Sequence, residues 1–345
     1  MEANPLSYRS AGVDRDTAQR TKRRILELVR STTTDGVVAN PGGFGGLFRI
    51  PRTDGKAMLV ASADGVGTKL KVATLAGRHT GVGADIVNHC ADDILVEGAR
   101  PLFFLDYIGM GRLEPGIIEQ VVEGIAGACR ANGCALLGGE TAEMPDFYGP
   151  GEYDLAGFIV GAVEEARRPG AHRVAIGDRL VAVASDGFHT NGYSLLRRLF
   201  FDRLGLDVGA PFPGMGDRTV GEVLLRPHRS YVGALLPLID DGAVEALAHI
   251  TGGGIPENLD RVIPDGASAV VDTASWVVPP EFRIVAEAGA VAEDEMFRTF
   301  NMGVGMVAIV RPQRAAEVVG RLVAAGEQAW VAGTVREGFA KVLLE

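Results

Sequence analysis

Cysteine is scarce in this chain. Only Cys90, Cys129 and Cys134 occur among 345 residues, an odd number with no Cys-x-x-Cys pair. That excludes a disulfide framework and favours small buried hydrophobes over metal ligands or a nucleophile. Long apolar runs are missing as well, since none approaches the roughly 18 residues a membrane helix needs. The opening residues, MEANPLSYRSAGVDRD, are polar and hold no signal-peptide core, so a cytoplasmic protein with no membrane partner is expected. Positive charge is in deficit, with 34 Lys and Arg against 44 Asp and Glu and a net charge of −10. The balance disfavours nucleic acid as a partner. It leaves room for a small phosphorylated ligand, which a few placed charges and a metal can hold.

What is present points to packed α/β structure. The apolar share of 47% is ample for a core, and the length predicts two domains. Glycine numbers 47, about twice the usual share of roughly 7%. Many glycines sit beside polar residues, where tight turns and close backbone approach to a ligand require them. A charged helix is expected over Asp16 to Ser31, then a turn-rich loop over Asn40 to Arg52. Strands are expected over Ala57 to Ala63, in PLFFLDYIGMG, CALLGGE and YDLAGFIVGAVE, with helices near Gly83 to Glu97 and Pro115 to Asn132 between them. The boundary falls in Glu164 to Asp178, giving domains of 1–168 and 169–345. Beyond it strands and helices alternate again, so the fold class is α/β in both halves.

Two loops end strands in the same way: LVASADGVGTK from Leu59 and LVAVASDGFHTNG from Leu180. The first lacks the Gly-Lys-Ser/Thr of a Walker loop and the third glycine of a dinucleotide fingerprint. Even so, Gly65 and Gly67 free backbone N–H groups for a ligand, Thr68 can donate, Lys69 is positive and Asp64 can hold a divalent cation. A sharp turn with an incidental lysine is the competing reading. In GADIVNHCADDILVEG, Asp85, Asn88, His89 and Asp92 share one helical stripe, opposite Ile86, Val87, Cys90 and Ile94. The stripe is either a solvated polar face or a set of hard oxygen ligands for Mg2+. Asp93 and Glu97 form a repelling pair unless a cation is near. Zinc is disfavoured because His89 has no second His or Cys at ligand spacing. Glu140 and Glu143 follow a strand end, and Asp186, His189, Thr190 and Asn191 share one loop. For His189 a general base, a phosphate donor and a plain loop residue all stay open. Gly252, Gly253 and Gly254 precede a helix as an anion seat, and Arg298 and Asn301 lie between helix and strand, where a guanidinium can grip phosphate.

Taken in order, SYRSAGVD, GGFGGLF, SADGVGTKLKVA, LFFLDYIGMG, GGETAEMPDFY, YDLAGFIVGAVE, HTNGYSLLRR, HITGGGIPENL and MFRTFNMGVGM resemble the phosphoribosylformylglycinamidine cyclo-ligase (aminoimidazole ribonucleotide synthetase) family, from about Ser7 to the end. The resemblance implies an ATP- and Mg2+-dependent closure of formylglycinamidine ribonucleotide to 5-aminoimidazole ribonucleotide, with ADP and phosphate released. It also implies a homodimer whose N-terminal sheets join in a barrel flanked by C-terminal α/β domains. Carried onto this sequence, Asp64, Gly65, Gly67, Thr68, Lys69, Asp92 and Asp93 belong to the ATP–magnesium region, with Asp64, Asp92 and Asp93 as metal ligands. Glu140 lies in the same cleft. His189 and Asn191 approach from the second domain, with His189, Asp93 and Lys69 taking part in the chemistry. Gly252 to Gly254, Arg298 and Asn301 line the cleft. Two positions depart from the pattern: Asp92 where Asn is usual in the family, and Asp186 where Ser is commoner. A selenophosphate synthetase would want a reactive residue near the N-terminal glycine loop, and no cysteine precedes Cys90. A thiamine-monophosphate kinase would lack GGETAEMPDFY and MFRTFNMGVG as written. The rival of another class is a non-catalytic nucleotide-binding regulator.

Overall fold

A computed structural model describes residues 24–37, 48–49 and 57–345. Apart from Phe48 and Arg49, the loop expected over Asn40 to Arg52 lies outside them, as does the N-terminal arm up to residue 23, and residues 24–30 are helical. The N-terminal half is a four-stranded sheet in the order β1-β4-β2-β3, formed by β1 (Ala57–Gly65), β2 (Arg100–Met110), β3 (Ala135–Glu143) and β4 (Tyr153–Glu164). β4 pairs antiparallel with β1 and β2, whereas β2 and β3 run parallel, so the sheet is mixed. Alternation along β4 buries Tyr153, Leu155, Ile159 and Val163 and leaves Asp154, Phe158 and Glu164 exposed. A period of two places one face on a core and leaves the other open.

The covered face carries α2 (Thr80–Leu95) and α3 (Pro115–Ala131), while α1 (Lys69–Ala76) follows directly from the loop after β1. Ile86, Val87, Cys90 and Ile94 of α2 are all buried. α2 and α3 cross at two glycines. A Cβ on Gly83 would run into the Val121 carbonyl oxygen, and one on Gly124 into that of Thr80. All three cysteines are free and buried, as their scarcity implied.

The link after β4 contains only two short 3-10 turns, Glu165–Arg167 and Ala171–Arg173. The C-terminal half is a six-stranded sheet in the order β10-β7-β9-β5-β8-β6, composed of β5 (Arg179–Ala184), β6 (Ala246–His249), β7 (Ala267–Val271), β8 (Val304–Val310), β9 (Ala329–Glu337) and β10 (Val342–Leu344). Only the β10–β7 pair is parallel. Its helices are α4 (Tyr193–Arg197), which continues into a π-helical turn over Arg198–Arg203, α5 (Val220–Leu224), α6 (Val232–Asp240), α7 (Gly254–Asp260), α8 (Pro280–Gly289), α9 (Glu293–Thr299) and α10 (Ala315–Ala324). β8 is buried along its whole length, as a central strand covered on both faces must be. The polar side of α2 then packs onto this second half, and the seam between the halves is where chemistry-bearing side chains gather.

Candidate functional site

The stripe Asp85, Asn88, His89 and Asp92 is not a solvated face. Asp85 and Asp92 are fully buried and His89 nearly so. Their partners come from the C-terminal half. Asp85 Oδ1 accepts the His228 backbone N–H at 2.6 Å, and Asp92 Oδ1 accepts that of Tyr231 at 2.9 Å. Asn88 donates to the His228 carbonyl at 2.7 Å, while His89 Nδ1 meets Thr190 Oγ1 at 2.8 Å. Buried polar groups need partners, and here the second half supplies one to each member of the stripe.

Asp64, the last side chain of β1 before Gly65, has its Oδ1 bonded to the Gly65 N–H at 2.6 Å and its Oδ2 2.7 Å from His89 Nε2. Asp93 receives His249 Nδ1 at 2.9 Å and the Ser62 hydroxyl at 3.1 Å, with His89 at 3.9 Å. Burial pushes both carboxyls up. The bond from His89 to Asp64 and that from His249 to Asp93 outweigh it, so both stay below their ordinary range. Burial likewise disfavours a charged His89, but the Asp64 bond and the Asp93 charge raise it above the ordinary value. The result is a His89 ring whose charged form is favoured by two carboxylates that keep substantial exposure, 41% at Asp64 and 31% at Asp93.

Lys69, expected beside phosphate, lies inside the protein. Its ammonium is fully buried and bonded to Asp85 Oδ2 at 2.8 Å, the His189 carbonyl at 2.9 Å and the Arg226 carbonyl at 2.7 Å. All three donors are engaged within the protein, so Lys69 braces the loop and does not project to a phosphate. The Gly65–Thr68 turn itself is open. Gly67 adopts φ 70 with nothing near its missing Cβ, and the exposed Thr68 hydroxyl lies 3.2 Å from Ser194 Oγ across the seam.

His189 is also fully buried, with a left-handed φ of 56 and its ring stacked on His228 at 4.0 Å. Its Nε2 accepts the Asp186 N–H at 3.1 Å, which places the proton on Nδ1, and that atom has no partner. Burial, then the charges of the neighbouring histidines and Lys69, hold it neutral, well below the usual histidine range. The ring of His189, expected to approach the reacting groups, is enclosed in this structure. Its neighbour Asn191 is partly exposed and lies beside Gly252. Asp186 pairs with Arg226 at 3.4 Å.

Other expected site residues fall elsewhere. Glu140 pairs with Tyr107 in the sheet, one residue out of phase with the row Asp64, Gly157, Asp106 and Gly139, so it is on the open face, opposite Asp64. Asn301 is buried and structural: its amide donates to the Gly187 carbonyl at 2.9 Å, and its oxygen accepts from Ser185 and the Gly303 N–H. Gly254 is glycine because a Cβ would strike the Phe297 carbonyl oxygen; only Gly252 of the three is exposed. Arg298 is exposed on α9. Glu97 finds its cation in Arg168 at 2.6 Å rather than in a metal. The objection that His89 lacks histidine partners also fails. His228 and His249 join it through the fold, so that with His189 four of the chain's six histidines meet at one seam. Spacing along the chain holds no trace of this.

With the geometry in view, likeness to known proteins becomes informative. AIR synthase related protein, N-terminal domain, matches residues 42–163, and AIR synthase related protein, C-terminal domain, matches 175–344. The chain belongs to the AIR synthase related family. Relatives include a phosphoribosylformylglycinamidine cyclo-ligase from Trichlorobacter lovleyi, 48% identical over 96% of this chain and 95% of that one. Another, from an Anaeromyxobacter species, is 49% identical over 99% and 98%. In solved structures, thiamine-monophosphate kinase from Stenotrophomonas maltophilia aligns with a TM-score of 0.69 at 18% identity, covering 95% of both chains. Hydrogenase maturation protein HypE in complex with ATP aligns at 0.67 and 18%, covering 94% of this chain and 91% of that one. At such identity these two speak for the fold alone. The two matched ranges correspond to the two halves on either side of the seam.

Proposed function

We propose that this chain closes the imidazole ring of the purine precursor, converting formylglycinamidine ribonucleotide and ATP into 5-aminoimidazole ribonucleotide, ADP and phosphate. The carrying observation is full-length identity of 45–49% to cyclo-ligases, across both domains that form the seam. A formamide oxygen is a poor leaving group. Transfer of the γ-phosphoryl group to that oxygen breaks the terminal phosphoanhydride and makes an iminophosphate. The amidine nitrogen then bonds to the same carbon as the C–O bond breaks, and the oxygen departs in phosphate. Such a reaction needs positioning and charge neutralisation rather than a protein nucleophile.

The half-exposed carboxylates Asp64 and Asp93 suit Mg2+, a hard cation that keeps waters and shares phosphate oxygens. Bound there, the ion would neutralise the charge of the triphosphate. The chain's own residues do the rest. The open turn at Gly65, Gly67 and Thr68 offers amides and a hydroxyl to phosphate, and Asn191 and Gly252 form the facing rim. Lys69, buried between Asp85 and two carbonyls, ties this turn to the His189 loop and so fixes the width of the seam. His189 acts as a positioning residue, its strained backbone holding Asn191 outward.

A homodimer belongs to the same reading. The open face of the N-terminal sheet carries Leu59 and Phe158, 57% and 46% exposed, on a surface continued by Val160 and Ala162. A second copy would cover it.

The test is product formation by the purified chain. ADP and 5-aminoimidazole ribonucleotide should appear together, one for one, only when the amidine substrate is added. Tight ATP binding without turnover would instead support the regulator.

A further inference from the structure

Beside the partly exposed pair Asp64 and Asp93 lies a second, fully enclosed cluster, and it takes in Asp92, which the family resemblance had placed with them as a Mg2+ ligand. Asp92, His228 and His249 are all buried, at 0%, 1% and 5% exposure. His228 Nε2 and His249 Nε2 face each other at 3.0 Å, and Asp92 Oδ2 lies 3.6 Å from His228 Nε2. The three ligand atoms lie within 4.8 Å of one another.

The hydrogen bonding of this cluster does not close. His249 gives its Nδ1–H to the Asp93 carboxylate, which leaves Nε2 as a bare lone pair. His228 can satisfy that lone pair by donating from its own Nε2, but Asp92 Oδ2 then has no partner, and none exists for it in the structure. An orphaned carboxylate oxygen in a closed site is costly. A single dication at the centre would satisfy both imidazole nitrogens and that oxygen at once. His228 would carry its proton on Nδ1, toward Thr190 Oγ1 at 3.5 Å.

We infer that Asp92, His228 and His249 form a binding site for a borderline transition-metal dication such as Zn2+, separate from the Mg2+ region. Zinc bonds of about 2.0–2.1 Å at a tetrahedral angle place ligand atoms about 3.3 Å apart; two of the three separations, 3.0 and 3.6 Å, bracket that spacing, and the third is within 4.8 Å. Two nitrogens and one oxygen select such an ion over Mg2+. The supporting contacts are built in as well. Asp93 accepts the outer N–H of His249, and the Tyr231 N–H fixes the other oxygen of Asp92. Asp92 comes from α2, while His228 precedes α6 and His249 ends β6, so the ion staples the two halves together.

The test needs no nucleotide, so its outcome is independent of the ATP reading. Chelator-treated full-length protein is titrated with Co2+ in excess Mg2+. One Co2+ per chain, with the intense visible absorption of tetrahedral cobalt and displacement by Zn2+, is expected. Asp92→Asn retains the acceptor for Tyr231, and His228→Gln retains a polar group. Each should weaken Co2+ binding by about tenfold or more, while Asp64→Asn should leave it intact. Anomalous diffraction from Zn2+-soaked crystals of the unmodified protein should place the ion on His228 Nε2, His249 Nε2 and Asp92 Oδ2. No Co2+ uptake by the unmodified protein, uptake unaffected by either substitution, or an ion bound to other ligands overturns the assignment.

Discussion

Lys69 and Asp85 are a charged pair enclosed at the seam rather than facing solvent. Both side chains are fully buried, and their ion pair closes with two backbone carbonyls and the His228 N–H. Burial alone would strip the proton from Lys69 and return one to Asp85; the pairing opposes both changes. Such a pair is weak evidence for net stability, but breaking it strands an ion. Lys69→Met should therefore cost about 3–5 kcal/mol in urea unfolding, and the double change Lys69→Met, Asp85→Leu should recover most of it. Failure of the double variant to recover would mean that the carbonyl contacts, not the charge, matter. Asp64 is the opposite kind of residue, with 41% of its side chain exposed. Asp64→Asn should leave the melting temperature within a few degrees while lowering kcat by about 100-fold or more and raising the Mg2+ needed for half-maximal rate. Unchanged Mg2+ dependence would remove Asp64 from the metal region.

At the scale of elements, α2 matters most because it carries Asp85, Asn88, His89, Asp92 and Asp93, and its position is set by glycine. A Cβ at Gly124 would strike the Thr80 carbonyl oxygen, so Gly124→Ala must push α3 from α2. A loss of about 1–3 kcal/mol is expected, as for overpacking elsewhere, together with a fall in kcat, because the displaced helix shifts every carboxylate at the seam. Activity lost in step with folded fraction alone would contradict the second part. β2 supplies a pH-dependent case. Burial, then the charge of Glu140, pushes the Asp106 carboxyl up to about 7. Its folded value lies above the unfolded one near 3.8, so the folded state prefers the protonated form. The penalty is absent below pH 4, grows from there to pH 7, and is complete above pH 7. Asp106→Asn should thus gain little at pH 4.5 and up to about 4 kcal/mol at pH 8 in urea melts. An equal gain at both pH values would refute the shift. The elements themselves were largely legible. β4 spans Tyr153–Glu164 as its alternation indicates, and α3 differs from expectation by one residue at its end. β6 was not legible: Ala-Leu-Ala-His is short and buried at every position, so it shows no period. α5 and β10, of five and three residues, are too short to show a period. The burial of Lys69 and the meeting of His89, His189, His228 and His249 depend on packing between halves, which local pattern does not encode.

At the scale of the whole molecule, no helix among the described residues covers the second face of the N-terminal sheet. α2 and α3 cover one side, and Leu59 and Phe158 stand on the other at 57% and 46% exposure. Because β1 and β4 pair with Ala63 opposite Phe158 and Leu59 opposite Ala162, these side chains share one surface with Val160 opposite Ala61. Leu105 of β2 extends it, opposite Phe158 on the other side of β4. Apolar rows of this kind normally meet another surface. If two sheets stack here, Leu59→Glu combined with Phe158→Glu places four like charges in one closed interface. That should convert a dimer to a monomer in sedimentation at micromolar concentration, with the far-ultraviolet spectrum retained. Single substitutions should raise the dissociation constant by about tenfold to a thousandfold, since each buries an unpaired charge worth about 1.4–4 kcal/mol. Should the unmodified chain sediment as a monomer, or the double variant remain dimeric, the open face is not the contact. The proposed site would then have to work within one chain, whose halves are already bridged by Thr68 with Ser194 and by Asp85 with the His228 N–H.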